Sequence, residues 1–75
     1  MSKADKMFEE LNFKKFEGLR TIDFYNNDGL IQFDKKFKII HINKNEVTDF
    51  ITLQELQAIN EKVKELGWIW EIKIE

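Results

Sequence analysis

Ala4, Met7, Phe8 and Leu11 recur at i, i+3, i+4 and i+7, the spacing of one stripe on an α-helix, and predict a helix over 3–11. Ser2 stands where an N-cap accepts orphan backbone N–H groups. Asp5, three residues on, resembles the capping-box partner, although it is shorter than the usual Glu or Gln. Asn12 then occupies the left-handed stop position, and Phe13 is placed to fold back over the last turn. A second helix is predicted over 53–66. Thr52 and Glu55 make a full capping box, and Leu56, Ile59, Val63 and Leu66 form an apolar stripe with Leu53 at its edge. Gly67 supplies the stop, with Trp68 placed for the hydrophobic contact that follows such a cap. Met7, Phe8, Leu11, Leu56, Ile59, Val63 and Leu66 are the residues these stripes would bury.

Between the helices the period changes from 3.6 to 2. Strands are predicted near 19–25, 30–34 and 37–42. Asn26-Asn27-Asp28-Gly29 and Asp34-Lys35-Lys36 are the turns between them. Residues 43–49 read as a polar connection, with room for a short edge strand near 47–51. After the second helix, Trp68, Trp70, Ile72 and Ile74 alternate with Ile69, Glu71, Lys73 and Glu75, which predicts a last strand over 68–74. The expected fold is α+β, in the order α-β-β-β-α-β. Its antiparallel sheet has three to four strands, with two helices packed on one face, in a single domain spanning 1–75.

Composition narrows the chemistry. With no Cys and one His in 75 residues, neither a disulfide framework nor a metal cluster is expected. A chain this short buries only about 60% of the surface it exposes unfolded, so its stability should be marginal. No apolar run approaches the roughly 18 residues of a membrane span, and the opening residues lack a signal peptide's apolar stretch. A soluble, cytoplasmic domain is the expectation.

Catalytic inventory is thin. Ser2 is the only serine and stands near a terminus. Gly18, Gly29 and Gly67 are too scattered to cradle a phosphate, and Glu9 and Glu10 point in different directions on a helix. A non-enzymatic protein without cofactor, metal or small-molecule substrate is expected. His41, opposite Ile40 and Ile42 in alternation, reads as a partly buried strand residue with one hydrogen bond.

Two residue groups could carry binding. Lys14, Lys15 and Phe16, with Lys35, Lys36 and Lys38, interleave cations and aromatics as single-strand nucleic-acid proteins do. The formal charge of −2 is a weak footprint for such a partner, and lysines also protect turns and strand edges. Nucleic acid is therefore the alternative reading. The stripe of Trp68, Trp70 and Ile72, with Ile69 and Lys73 on its other face, either completes the core or meets another chain. Tryptophan is enriched at interface hot spots, and a last strand at a sheet edge recruits partner strands. The partner would be a host protein or a second copy forming a homodimer.

Met7-Phe8-Glu9-Glu10-Leu11, followed by Asn12 and an aromatic, resembles the M-F-E-E-L-G-[F/Y] opening of small uncharacterised proteins of phages and prophages of Gram-positive bacteria. Residues 51–68, I-T-L-Q-E-L-Q-A-I-N-E-K-V-K-E-L-G-W, resemble the closing helix of that family. The two blocks cover about a third of the chain, and Asn12 replaces the family's Gly. The segment after Trp68 lies outside the resemblance. That family has no assigned activity, so the resemblance implies a phage or prophage origin and a setting in the host cytosol. A small phage protein in that setting would act by binding a host or defence protein.

Overall fold

The computed structural model describes residues 2–45 and 50–68. Their elements are α1 (Lys3–Glu10), β1 (Lys14–Glu17), β2 (Thr21–Asn26), β3 (Gly29–Asp34), β4 (Ile39–Lys44) and α2 (Leu53–Glu65). The fold is α+β, and its four strands form one antiparallel sheet in the order β1-β2-β3-β4. The order is therefore α-β-β-β-β-α. The predicted last strand except Trp68, which belongs to no strand, and the predicted edge strand except Phe50 and Ile51, lie outside the described residues. Phe50 and Ile51 belong to no strand.

The helix ends follow local chemistry. Ser2 Oγ accepts from Asp5 N at 3.0 Å, but the Asp5 carboxylate does not return to the cap; it reaches Lys15 and Lys62. Thr52 and Glu55 close the reciprocal box at 2.8 and 3.1 Å. Both helices stop in a Schellman motif. Asn12 (φ 67°) and Gly67 (φ 72°) are left-handed, and the next residues, Phe13 and Trp68, donate to Phe8 O and Val63 O at 3.0 Å.

Strand alternation builds the core. Ile22 and Phe24 of β2 stand beside Phe33 and Ile31 of β3, and all four are buried on the inner face of the sheet. Phe8 of α1 stacks on Phe24, with centroids 3.9 Å apart, and stands edge-on to Phe13 and Phe33. Ala58 and Ile59 of α2 join the same cluster, and the Trp68 ring reaches Phe33 at 6.1 Å.

Four expectations are corrected. Lys14–Glu17, expected as part of a lysine–aromatic cluster and not as a strand, forms β1; its four residues are all exposed, and its ladder with β2 makes it a strand. β2 begins at Thr21, and Leu19, expected in the strand, lies fully in solvent before it. β4 begins at Ile39, because Asp34 Oδ1 accepts from Lys36 N and Phe37 N and holds 35–38 as a turn with Lys38 left-handed. The buried stripe of α2 runs through Glu55, Ala58, Ile59 and Lys62. Leu56 is 42% exposed, while Val63, Leu66, Met7 and Leu11 are half-buried against the core.

Lys62 and Glu55 are the charged residues that this rotation buries, and Lys62 is the deeper of the two. Its Nζ donates to Asp5 Oδ1 at 2.8 Å and to the Glu65 carboxylate, and stands 5.6 Å from the centre of the Phe24 ring. Asp5 also accepts from Lys15 Nζ at 2.8 Å, so one ionic chain ties α1, β1 and α2 together. At Asp5, burial favours the neutral acid, but the two lysines outweigh it and hold the carboxyl below its usual range.

Candidate functional site: the outer face of the sheet

The side chains that alternate away from the core define the second face. Register places Lys14, Tyr25, Leu30 and Asn43 in one row across the four strands, and Phe16, Asp23, Gln32 and His41 in the next. Thr21, Asp34 and Ile39 continue the face toward the 35–38 turn. Phe16 is 60% exposed and Tyr25 42%, and they are diagonal neighbours across the β1–β2 pair, about 7–8 Å apart by strand geometry. Ile39 and Phe37 are exposed at the far end. His41 is exposed opposite Gln32, so the expected half-buried environment is not found. The outer face is open there.

Polar groups on this face are unequally satisfied. Asp34 Oδ2 accepts from Arg20 Nε at 3.2 Å and Nη2 at 3.0 Å, and Arg20 also lies 4.9 Å from the centre of the Phe37 ring. The Arg20 guanidinium, with the backbone N–H groups of Phe37 and Lys36, holds the Asp34 carboxyl below its usual range. Asp23 differs. Its Oδ1 is buried between Phe16 and Gln32 in its row, with no hydrogen-bond partner among the described residues.

The lysines of the nucleic-acid alternative do not converge. Lys14 shares the outer face with Phe16, whereas Lys15 pairs in register with inward Phe24 and bonds Asp5. Lys35 Nζ donates to Gly18 O at 3.0 Å, and Lys36 lies 5.3 Å from the centre of the Phe37 ring. Lys38 sits in the turn at the opposite end of the sheet from Lys14. Among the described residues only Lys14 is a cation beside the exposed aromatic pair, and Asp23 stands diagonally across from it.

Trp68, the one residue of the C-terminal stripe within the described structure, is half-buried against the core. Ile69, Trp70, Ile72 and Lys73 lie outside the described residues. A shallow hollow lined by Leu11, Asn12, Lys14 and Tyr25–Asp28 contains no serine, cysteine or histidine. Among the described residues no three His, Cys, Asp or Glu side chains gather as a metal site, and no helix is long and apolar enough to cross a membrane. No protein-family model, curated protein or solved structure matches this chain.

Proposed function

We infer that this is a non-enzymatic binding module that recognises another protein through the outer face of its sheet. The observation that carries the reading is the exposed Phe16–Tyr25 pair, diagonal neighbours on the outer face. Exposed apolar patches on small domains mark contact surfaces, and aromatic side chains supply most of the energy at such contacts. Electrostatics favour a polypeptide over a nucleic acid, since Asp23 offsets the nearby Lys14 and Asp34 offsets Arg20, which leaves little net positive charge on this face to hold phosphates. The resemblance to small phage and prophage proteins supports a setting in the cytosol of a bacterial host, with a host protein as the partner.

The test places a photo-crosslinking residue at Tyr25 and exposes the protein to host lysate, with Phe16→Ser in the same chain as the control. A discrete cross-linked protein that disappears in the control supports the reading. A chain that sediments as a monomer and yields no specific adduct removes it. Salt-sensitive micromolar binding of single-stranded DNA that is lost in Phe16→Ser would replace it with the nucleic-acid reading.

A further inference from the structure

The two turns at one end of the sheet are joined into a single tip. The β1–β2 connection, residues 18–20, closes with Gly18 N donating to Thr21 O at 2.9 Å. It is tied to the β3–β4 turn, residues 35–38, where Lys35 N donates to Arg20 O at 2.8 Å and Lys35 Nζ to Gly18 O at 3.0 Å. Arg20 links the turns again, since its Nη2 donates to Asp34 Oδ2 at 3.0 Å and its guanidinium lies 4.9 Å from the centre of the Phe37 ring. Asp34 Oδ1 holds the second turn from within by accepting from Lys36 N and Phe37 N. Hydrogen bonds fix this end, and neither Leu19 nor Phe37 belongs to the core cluster.

Those two apolar side chains are turned outward. Leu19 is 103% exposed and Phe37 56%. Turns ordinarily carry Gly, Asn, Asp, Ser or Pro at such positions. One exposed leucine on a protein surface is ordinary. Two large apolar groups on turns bonded to each other, with no part in the core, form a displayed patch.

Charge surrounds the patch. Residues 17–20 and 34–38 hold four cations and two carboxylates, a net of +2, whereas the remainder of the chain carries −4. Arg20 and Lys35 pair with Asp34 and Glu17. Lys36 and Lys38 are exposed, and among the described residues neither meets a carboxylate. Three of the lysines that do not gather at Phe16 and Tyr25 thus gather here.

Shape and charge select the occupant. A protein partner would need a pocket moulded to Leu19, which projects from its turn wholly into solvent. A bilayer surface accepts a projecting apolar side chain without such a pocket, and anionic headgroups match the net positive charge around it. Lysine suits that boundary, because its methylenes lie along the apolar layer while its charge stays among the headgroups. Contact of this kind needs no spanning helix.

We propose that this tip docks the protein on an anionic lipid surface, with Leu19 and Phe37 entering the headgroup boundary and Lys36 and Lys38 meeting the headgroups. Its turns are already held by their own hydrogen bonds, so docking orders little of the chain. Tyr25, near the opposite end of β2, stays clear of the lipid.

Co-sedimentation of the full-length protein with vesicles tests the proposal. The protein should bind vesicles of equal parts phosphatidylcholine and phosphatidylglycerol, bind phosphatidylcholine alone at least about 10-fold more weakly, and detach as salt is raised. Lys36→Ala and Lys38→Ala should each weaken binding about 5-fold. Leu19→Ser, at a fully exposed position, should weaken it about 10-fold with an unchanged urea midpoint, and Tyr25→Ser should leave it unchanged. The chain has no cysteine, so Leu19→Cys carries a single polarity-sensitive dye, whose emission should shift to the blue on the anionic vesicles alone. No binding to those vesicles at low salt would overturn the proposal. Binding that Leu19→Ser leaves intact, or a dye that stays in water, would also overturn it, because the tip would then not enter the lipid. Tighter binding of single-stranded DNA than of the vesicles, lost with Lys36 and Lys38 but kept in Leu19→Ser, would replace it with a nucleic-acid site.

Discussion

Lys62 of α2 and Asp5 of α1, 57 residues apart in sequence, meet at 2.8 Å beneath a surface that leaves only 2% of the lysine side chain exposed. The contact joins the two ends of the described chain. The methylenes of Lys62 pack in the interior, while Asp5 and Glu65 take its charge. Lys62→Ala should therefore cost about 2–4 kcal/mol, at or below the usual cost of orphaning a buried ion partner, because Asp5 retains Lys15 and Glu65 is 35% exposed. A 75-residue domain has only about 4–11 kcal/mol in total, so the loss should move the urea midpoint far enough to measure easily.

Acid should loosen the fold. Asp5, Asp34, Glu55 and Glu65 are all held below their ordinary values of 3.8 and 4.5. At Glu55 and Glu65, as at Asp5, burial pushes upward, and Lys44 or Lys62 outweighs it; at Asp34 the leading influence is Arg20. A carboxyl lowered in the folded state adds stability above its unfolded value and loses it as pH falls through the folded one. Urea midpoints should be flat from about pH 6 to 8 and drop below about pH 4.5. Lys15, raised above 10.5 chiefly by Asp5, acts in the opposite sense, and its contribution fades only above that value. A midpoint that rises on acidification would contradict these pairings.

Gly29 and Gly67 should fail for different reasons when changed to alanine. A Cβ at Gly29 would stand 2.3 Å from Asn43 O and 3.0 Å from Lys44 Cα, so Gly29→Ala must push β3 and β4 apart, at about 1–3 kcal/mol. At Gly67 no atom of the described residues lies within 4 Å, and the left-handed backbone resists, at about 1–2 kcal/mol. Exchange protection separates the two. Gly29→Ala should release amides along the β3–β4 ladder, whereas Gly67→Ala should act on the last turn of α2.

The centre and the outer face should respond oppositely to truncation. Phe8→Ala removes the ring that touches Phe13, Phe24 and Phe33 and should cost about 3–5 kcal/mol. Phe16→Ser and Tyr25→Ser, on exposed positions, should stay within about 0.5 kcal/mol in thermal or urea unfolding. A large loss at either outer position would show that the ring serves the fold rather than a partner.

What the sequence by itself determined was local. Ser2, Asn12, Thr52 with Glu55, and Gly67 mark the helix ends because each acts on backbone groups within a few residues. Asn26 marks the β2–β3 turn for the same reason, since its Oδ1 accepts from Asp28 N and Gly29 N. The α+β class followed from the change of period between the helices. β1 was hidden because Lys14-Lys15-Phe16-Glu17 has no buried side chain, and only pairing with β2 makes it a strand. Phe16 could be singled out from the sequence. Its place beside Tyr25 and Asp23 is a matter of register, which no local pattern encodes.

Only the tertiary structure decided which side of α2 faces inward. Helical spacing favoured Leu56, but packing against α1 turned Ala58 and Lys62 into the interior, since Lys62 there finds Asp5 in addition to Glu65 of its own helix. A lysine reads as a surface residue until the fold brings a carboxylate to its end, and Asp5 comes from 57 residues away in the chain.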